Sequence, residues 1–152
     1  INNYMITLEN VLDMWKTDSV IDENELDKVT IDTSKLHAKY LELFSIAKLQ
    51  LKKNENKLDE LKKEKWLYFT GKMTQADMDA RGWAYDPFNG IKPLKSDMEL
   101  YYNADKDIVQ AKDRIQYSKT LIDALEEIIN AIRWRHTHVK NIIDFRKFTS
   151  GI

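Results

Sequence analysis

Cysteine is absent from the 152 residues, which excludes disulfides, thiolate metal sites and a cysteine nucleophile and suits a reducing compartment. Glycine and proline are scarce, at four and two, where average usage would give about ten and about seven. No apolar run reaches the roughly eighteen residues that a spanning helix needs, so no membrane partner is expected. The first residues carry no basic segment and include Asn2, Asn3 and Glu9, so they do not read as a secretory leader and a cytosolic location is expected. Gly-rich phosphate loops, nucleophile elbows and zinc-binding helix motifs are missing too. His136 and His138 stand two apart, a spacing that a helix points to different sides. Neither an enzyme nor a cofactor or metal site is expected.

Helix-forming residues fill the space that these absences leave. Charged residues make up 32% and hydrophobic ones 43%, enough for a core inside a charged shell. The net charge of −1 hides a strong asymmetry. Residues 1–32 hold eight acids against two lysines, a net −6. Residues 46–72 hold eight lysines against four acids, a net +4. Residues 133–148 hold five cations against Asp144, again +4. Segregation of this kind points to interaction surfaces more strongly than the total does.

Every Gly and Pro before residue 151 falls within 71–93, so the stretches on either side have no strong breaker. The first opens at Asp32-Thr33-Ser34, whose side chains favour an N-cap. Leu36, Tyr40, Phe44, Ala47, Leu51, Leu58 and Leu61 then form one apolar stripe, and Thr70-Gly71 is a natural stop. In the second, Ile108, Ile115, Ile122, Ile129 and Ile143 recur in a heptad register broken only at His136, with Ala111, Leu125, Ile132 and Val139 as apolar companions. The expected fold is all-α: a long antiparallel, coiled-coil-like hairpin with short N- and C-terminal helices that serve contacts between subunits. The expected division is an N-terminal helix and acidic arm over 1–28, then a domain over 29–152. That domain comprises a long helix 29–70, an aromatic loop 71–93, a long helix 94–135 and an assembly helix 136–150.

Two constellations are candidates for function. Lys62, Lys63 and Lys65 lead into Trp66, Tyr68 and Phe69, with Lys72 beyond. Lysines neutralise phosphates, and aromatic faces can stack unpaired bases. The competing reading, favoured for the aromatics, places them in the core or a subunit interface. The second set, Arg133, Arg135 and Lys140, leads into a tail that is both basic and apolar. Its Trp134, Val139, Ile142, Ile143, Phe145 and Phe148 would be a liability on a monomer and so read as an oligomer interface, or else pack on the chain's own hairpin. A structural coiled-coil scaffold, or a helical adaptor whose acidic arm binds a protein, would also fit the helical pattern.

Four segments in order carry a family resemblance: Ile31-Asp32-Thr33-Ser34-Lys35-Leu36; the Lys-rich run ending Tyr68-Phe69-Thr70-Gly71; Ala104-Asp105-Lys106-Asp107; and Ile142-Ile143-Asp144-Phe145-Arg146-Lys147-Phe148. Across residues 29 to 151 the chain resembles the UvsY recombination mediators of T-even-like phages. The longer 71–93 loop, with Trp83 and Pro87, and the extension before residue 29 resemble cyanophage versions. The resemblance implies a non-enzymatic mediator of DNA recombination and repair, tied to phage DNA replication, that acts in the cytoplasm of the infected bacterium. It implies a ring-like homo-oligomer assembled through the C-terminal helix. Single-stranded DNA, the phage recombinase and the phage single-strand-binding protein would be its partners. It places the family's DNA-binding basic pair on Lys63 and Lys65, the second a Lys where an Arg is expected, which keeps charge but loses forked contacts.

Overall fold

The computed structural model describes residues 6–151; Asn2 and Asn3, which counted against a leader, lie outside the described residues, as does the last residue of the expected domain. Among the described residues there are six α-helices, one 3-10 turn and no strand, so the fold is all-α as expected. The helices are α1 (Leu8–Asp18), α2 (Leu26–Phe69), α3 (Gln75–Arg81), α4 (Met98–Ala104), α5 (Lys106–Arg133) and α6 (Arg135–Thr149), with the 3-10 turn at Lys95–Asp97. The chain forms two compact units, one of residues up to Gln50 together with those from Ser118 onward, the other Leu51–Tyr117. Each takes one half of α2 and the opposite half of α5, as an antiparallel pair requires.

In the first unit, α1 is capped by Thr7, whose hydroxyl accepts the Asn10 amide at 3.2 Å. Its Val11 is fully buried against Tyr40, Ala47, Leu125, Ile128 and Ile132, so α1 belongs to this core and does not stand apart from it. Helix α2 starts at Leu26, earlier than Asp32-Thr33-Ser34 suggested. The hydroxyls of Thr33 and Ser34 donate back to the carbonyls of Val29 at 2.8 Å and Ile31 at 3.5 Å, a mid-helix use of groups that could also cap. Burial of Val29 extends the helix past them. Both heptad series turn inward in this unit as far as Val139: Ile129 is buried, and Leu125, Ile132 and Val139 are buried with it, whereas Ile143 is exposed.

In the second unit, α2 ends with Gly71 at φ +73°. The amides of Lys72 and Gly71 reach back to the carbonyls of Leu67 at 2.9 Å and Tyr68 at 3.3 Å, the paired bonds of a Schellman cap. The expected loop over 71–93 contains α3, capped by the Thr74 hydroxyl at the Asp77 amide and closed by Gly82 at φ +68°. The expected second long helix is interrupted: Asp105 is extended at φ −74° and ψ 127°, and its carboxylate accepts the Ile108 amide at 3.1 Å. That carboxylate caps α5, which therefore begins afresh at Lys106. The junction of α5 and α6 is a one-residue hitch at Trp134, two residues before His136. Tyr68, Phe69, Met78, Met98, Tyr102 and Ile108 make the core of this unit.

Candidate nucleic-acid interface

The lysine run lies on the last turns of α2, where the second unit is richest in aromatic residues. Tyr68 donates its hydroxyl to the Ala84 carbonyl and packs on Trp83 at 5.0 Å between ring centroids, which draws the connection over residues 82–88 onto the helix. Phe88 follows against Phe69 and Tyr101, at 5.2 Å and 4.8 Å. Burial pushes the Tyr68 phenol up, Asp105 adding to this and the Lys65 charge opposing it.

This arrangement separates the lysines. Lys65 is only 4% exposed; its ammonium lies 3.0 Å from an Asp105 oxygen and 2.8 Å from an Asp107 oxygen, and 4.0 Å from the Trp83 ring centroid. Its charge is balanced inside the unit, at the point where α4 gives way to α5. Lys62 is half-buried, with its ammonium 5.7 Å from the Tyr102 ring. Lys63 and Lys72 are exposed, and no acidic partner is found for either among the described residues. The Lys72 ammonium sits 4.3 Å from the centroid of Trp66.

Two neighbours escaped sequence reasoning. Arg81 of α3 binds Glu64 at 3.1 Å, so the one acid within the run is neutralised by a residue seventeen positions later. Lys92 reaches back to the helix end, where a Cβ on Gly71 would lie 3.5 Å from its ammonium. Cations gathered at a helix C-terminus are favoured by its dipole, a signal that the bare spacing of Lys92 does not carry.

The second basic set lies in the first unit. Arg133 and Lys140 are exposed, Arg133 donating to the Asn130 side chain at 3.3 Å. Arg135 is buried, its guanidinium donating to the carbonyls of Asp18 and Val20, both at 3.1 Å, while its Nε has no hydrogen-bond partner among the described residues. Burial lowers its pKa, and the nearby Asp18 charge opposes that. Arg135 thus ties the end of α1 and the linker after it to the start of α6. The carboxylate of Asp18, the last residue of α1, takes the Lys39 ammonium at 2.6 Å and the Tyr40 hydroxyl at 2.8 Å. Burial alone would raise that carboxyl, but these two bonds and the Lys39 and Arg135 charges outweigh it and hold it below the ordinary range.

Of the tail residues, Val139 is buried in its own unit and Ile142 half-buried, whereas Trp134, Ile143, Phe145 and Phe148 are exposed, Phe148 to 82%. Among the described residues no three His, Cys, Asp or Glu side chains converge as metal ligands, and no helix is long and apolar enough to cross a membrane.

Residues 14–152 match the family model described as recombination, repair and ssDNA binding protein UvsY. The recombination protein uvsY of Enterobacteria phage T4 is 28% identical over 144 residues, covering 95% of this chain and 98% of that one. A crystal structure of the bacteriophage T4 recombination mediator protein UvsY, in lattice type II, superposes with a TM-score of 0.77 at 26% identity, covering 95% of this chain and 98% of the other. The same phage protein in lattice type IV gives 0.79 at 24% identity over 94% and 99%, a likeness of fold.

Proposed function

Since the chain belongs to the UvsY family, we propose that it is a recombination mediator, not an enzyme, which binds single-stranded DNA as a homo-oligomer. The observation that carries the DNA site is local. At the end of α2, Lys63 and Lys72 stand in solvent with no acidic partner among the described residues, while the intervening Glu64 is held by Arg81. Phosphate meets uncompensated positive charge there. Lys62 and Lys92 add to it; Arg133 and Lys140 form a second basic patch on the other unit. Lys65 and Arg135, whose charges are engaged inside their units, shape these surfaces without touching the strand.

Self-assembly is supported by the exposure of Trp134, Phe145 and Phe148 on one short stretch, and of Ile31 and Leu49 on α2. A chain with a net charge of −1 and few phosphate-binding cations binds weakly alone. Repetition of the patch around a closed ring holds one strand at many points. A strand held in this way would be offered to the phage recombinase in place of the single-strand-binding protein, in the cytoplasm of the infected bacterium.

The test is Lys63→Ala, with anisotropy of a labelled oligonucleotide measured across salt concentrations. Affinity should fall for all base sequences alike, because binding to phosphate carries no base identity. The plot of log affinity against log salt should flatten by ~0.7 for each phosphate that is no longer neutralised. Alanine keeps the helix, so helicity and oligomeric mass should not change. An unaltered affinity and slope would remove the strand from this end of α2.

A further inference from the structure

One aromatic of the lysine run faces away from the core. Tyr68 and Phe69 are buried, and Tyr102 is covered by Lys62, but Trp66 is 38% exposed and lies outside the aromatic cluster of its unit. It follows Lys62 by four residues and Lys63 by three, so all three share one face of α2. The Lys72 ammonium rests on its ring. A flat apolar surface in water, with the Lys72 ammonium on its ring and Lys63 on the same helix face, fits poorly as the meeting face of two identical copies, since each would bring the same positive charge. It fits a partner that presents flat rings and negative charge in alternation. Single-stranded nucleic acid has that chemistry: bases with a free π-face, joined by phosphates.

We propose that Trp66 is the base-stacking platform of the single-strand site, with Lys63 and Lys72 holding the flanking phosphates. The inference rests on the DNA-binding reading and adds a residue, a mode of recognition and a selectivity to it. A cation over the ring is already the arrangement that a stacked base competes with. When a base takes the ring face, the Lys72 ammonium is displaced towards the backbone and its attraction passes from the ring to a phosphate. Stacking tolerates any base but needs one with an open face, so this platform separates single strands from duplex. Lysines alone would bind either form.

The measurement compares wild type, Trp66→Leu, Trp66→Tyr and Lys63→Ala on three labelled probes: an oligothymidylate, an abasic strand of equal length and a duplex. Trp66→Leu should weaken oligothymidylate binding by about 5- to 150-fold, the range for removal of one base–aromatic stack, without changing the salt slope. Trp66→Tyr should restore most of the affinity. On the abasic strand and on duplex, wild type and Trp66→Leu should be alike. Equal affinity of wild type and Trp66→Leu for oligothymidylate, with Lys63→Ala still impaired, overturns the platform and leaves the DNA site standing. An equal loss on the abasic strand means that Trp66 only props the lysines, and a changed oligomeric mass makes it part of a subunit interface; either overturns the proposal. Absence of binding by the wild type would instead overturn the function itself.

Discussion

Lys63 and Lys65 stand two positions apart on α2, so a helix turns them about 200° from each other, and their surroundings diverge accordingly. One is exposed to solvent; the other is 4% exposed between Asp105 and Asp107. Replacing Lys65 with Met strands Asp105, itself 13% exposed. Loss of one member of a buried pair costs about 3 kcal/mol or somewhat more, and Asp107, half in solvent, keeps the value towards the lower end. Chemical denaturation should show that loss. Lys65→Met with Asp105→Asn should recover part of it, because no buried charge is then left alone; no recovery would mean that the pair is not coupled. The Asp18 node gives a pH signature. Its carboxyl lies below the ordinary value when folded, so its stabilisation is present above about pH 4 and is lost as the pH falls through the folded value. Asp18→Asn should cost about 2 kcal/mol at neutral pH and make the acid limb of stability against pH shallower. Parallel acid limbs in the two proteins would show that Asp18 contributes nothing there. Tyr40 works in the opposite sense: its phenol is raised, by burial first and then by Asp18. That part of the stabilisation is therefore held below about pH 10 and lost above it.

At the scale of elements, glycine and proline placement separated the two long helical stretches, because a helix of 44 residues tolerates neither in its interior. Helix ends were harder to read. Asp32, Thr33 and Ser34 have the chemistry of a cap, yet Val29 packs in the core and carries the helix back to Leu26, since burial outweighs a preference worth about 1 kcal/mol. Asp105 is the reverse case. Nothing in the heptads marks it, and only its carboxylate on the Ile108 amide and the Lys65 ammonium fixes the break. Short α3 was written in Thr74, Asp77 and Gly82, signals hidden by the turn formers that follow. The basic run was visible from sequence, but which lysines stay outside was not, because that depends on Asp105, Asp107 and Arg81 from elsewhere in the chain. On α6 the exposed Phe145 and Phe148 support assembly. Phe145→Ser with Phe148→Ser should leave helicity and monomer stability within about 0.5 kcal/mol while light scattering shows a smaller particle. Single-strand affinity should fall with it, by a factor of about 100 or more as avidity disappears. An unchanged mass would move the interface off this helix.

At the scale of the molecule, the near-zero net charge is a sum of internal cancellations. Acids at the end of α1 and in the linker after it are engaged by Lys39 at Asp18 and by Arg146 at Glu23, the latter at 3.8 Å, and those around α5's start by Lys65. The cations proposed to meet DNA are among those left over. The chain also has two cores, each closed by its own aromatic residues, and this has an optical consequence. Trp15 lies edge-on to Tyr40 at 5.6 Å in the first core; Trp83 lies beneath the Lys65 ammonium in the second; Trp66 and Trp134 face outward. Four indoles thus occupy four distinct environments, one partly buried and one exposed in each unit. Their emission spectra would be distinguishable without any attached dye, so a set of single-tryptophan chains makes the loosening of either core a separate colour.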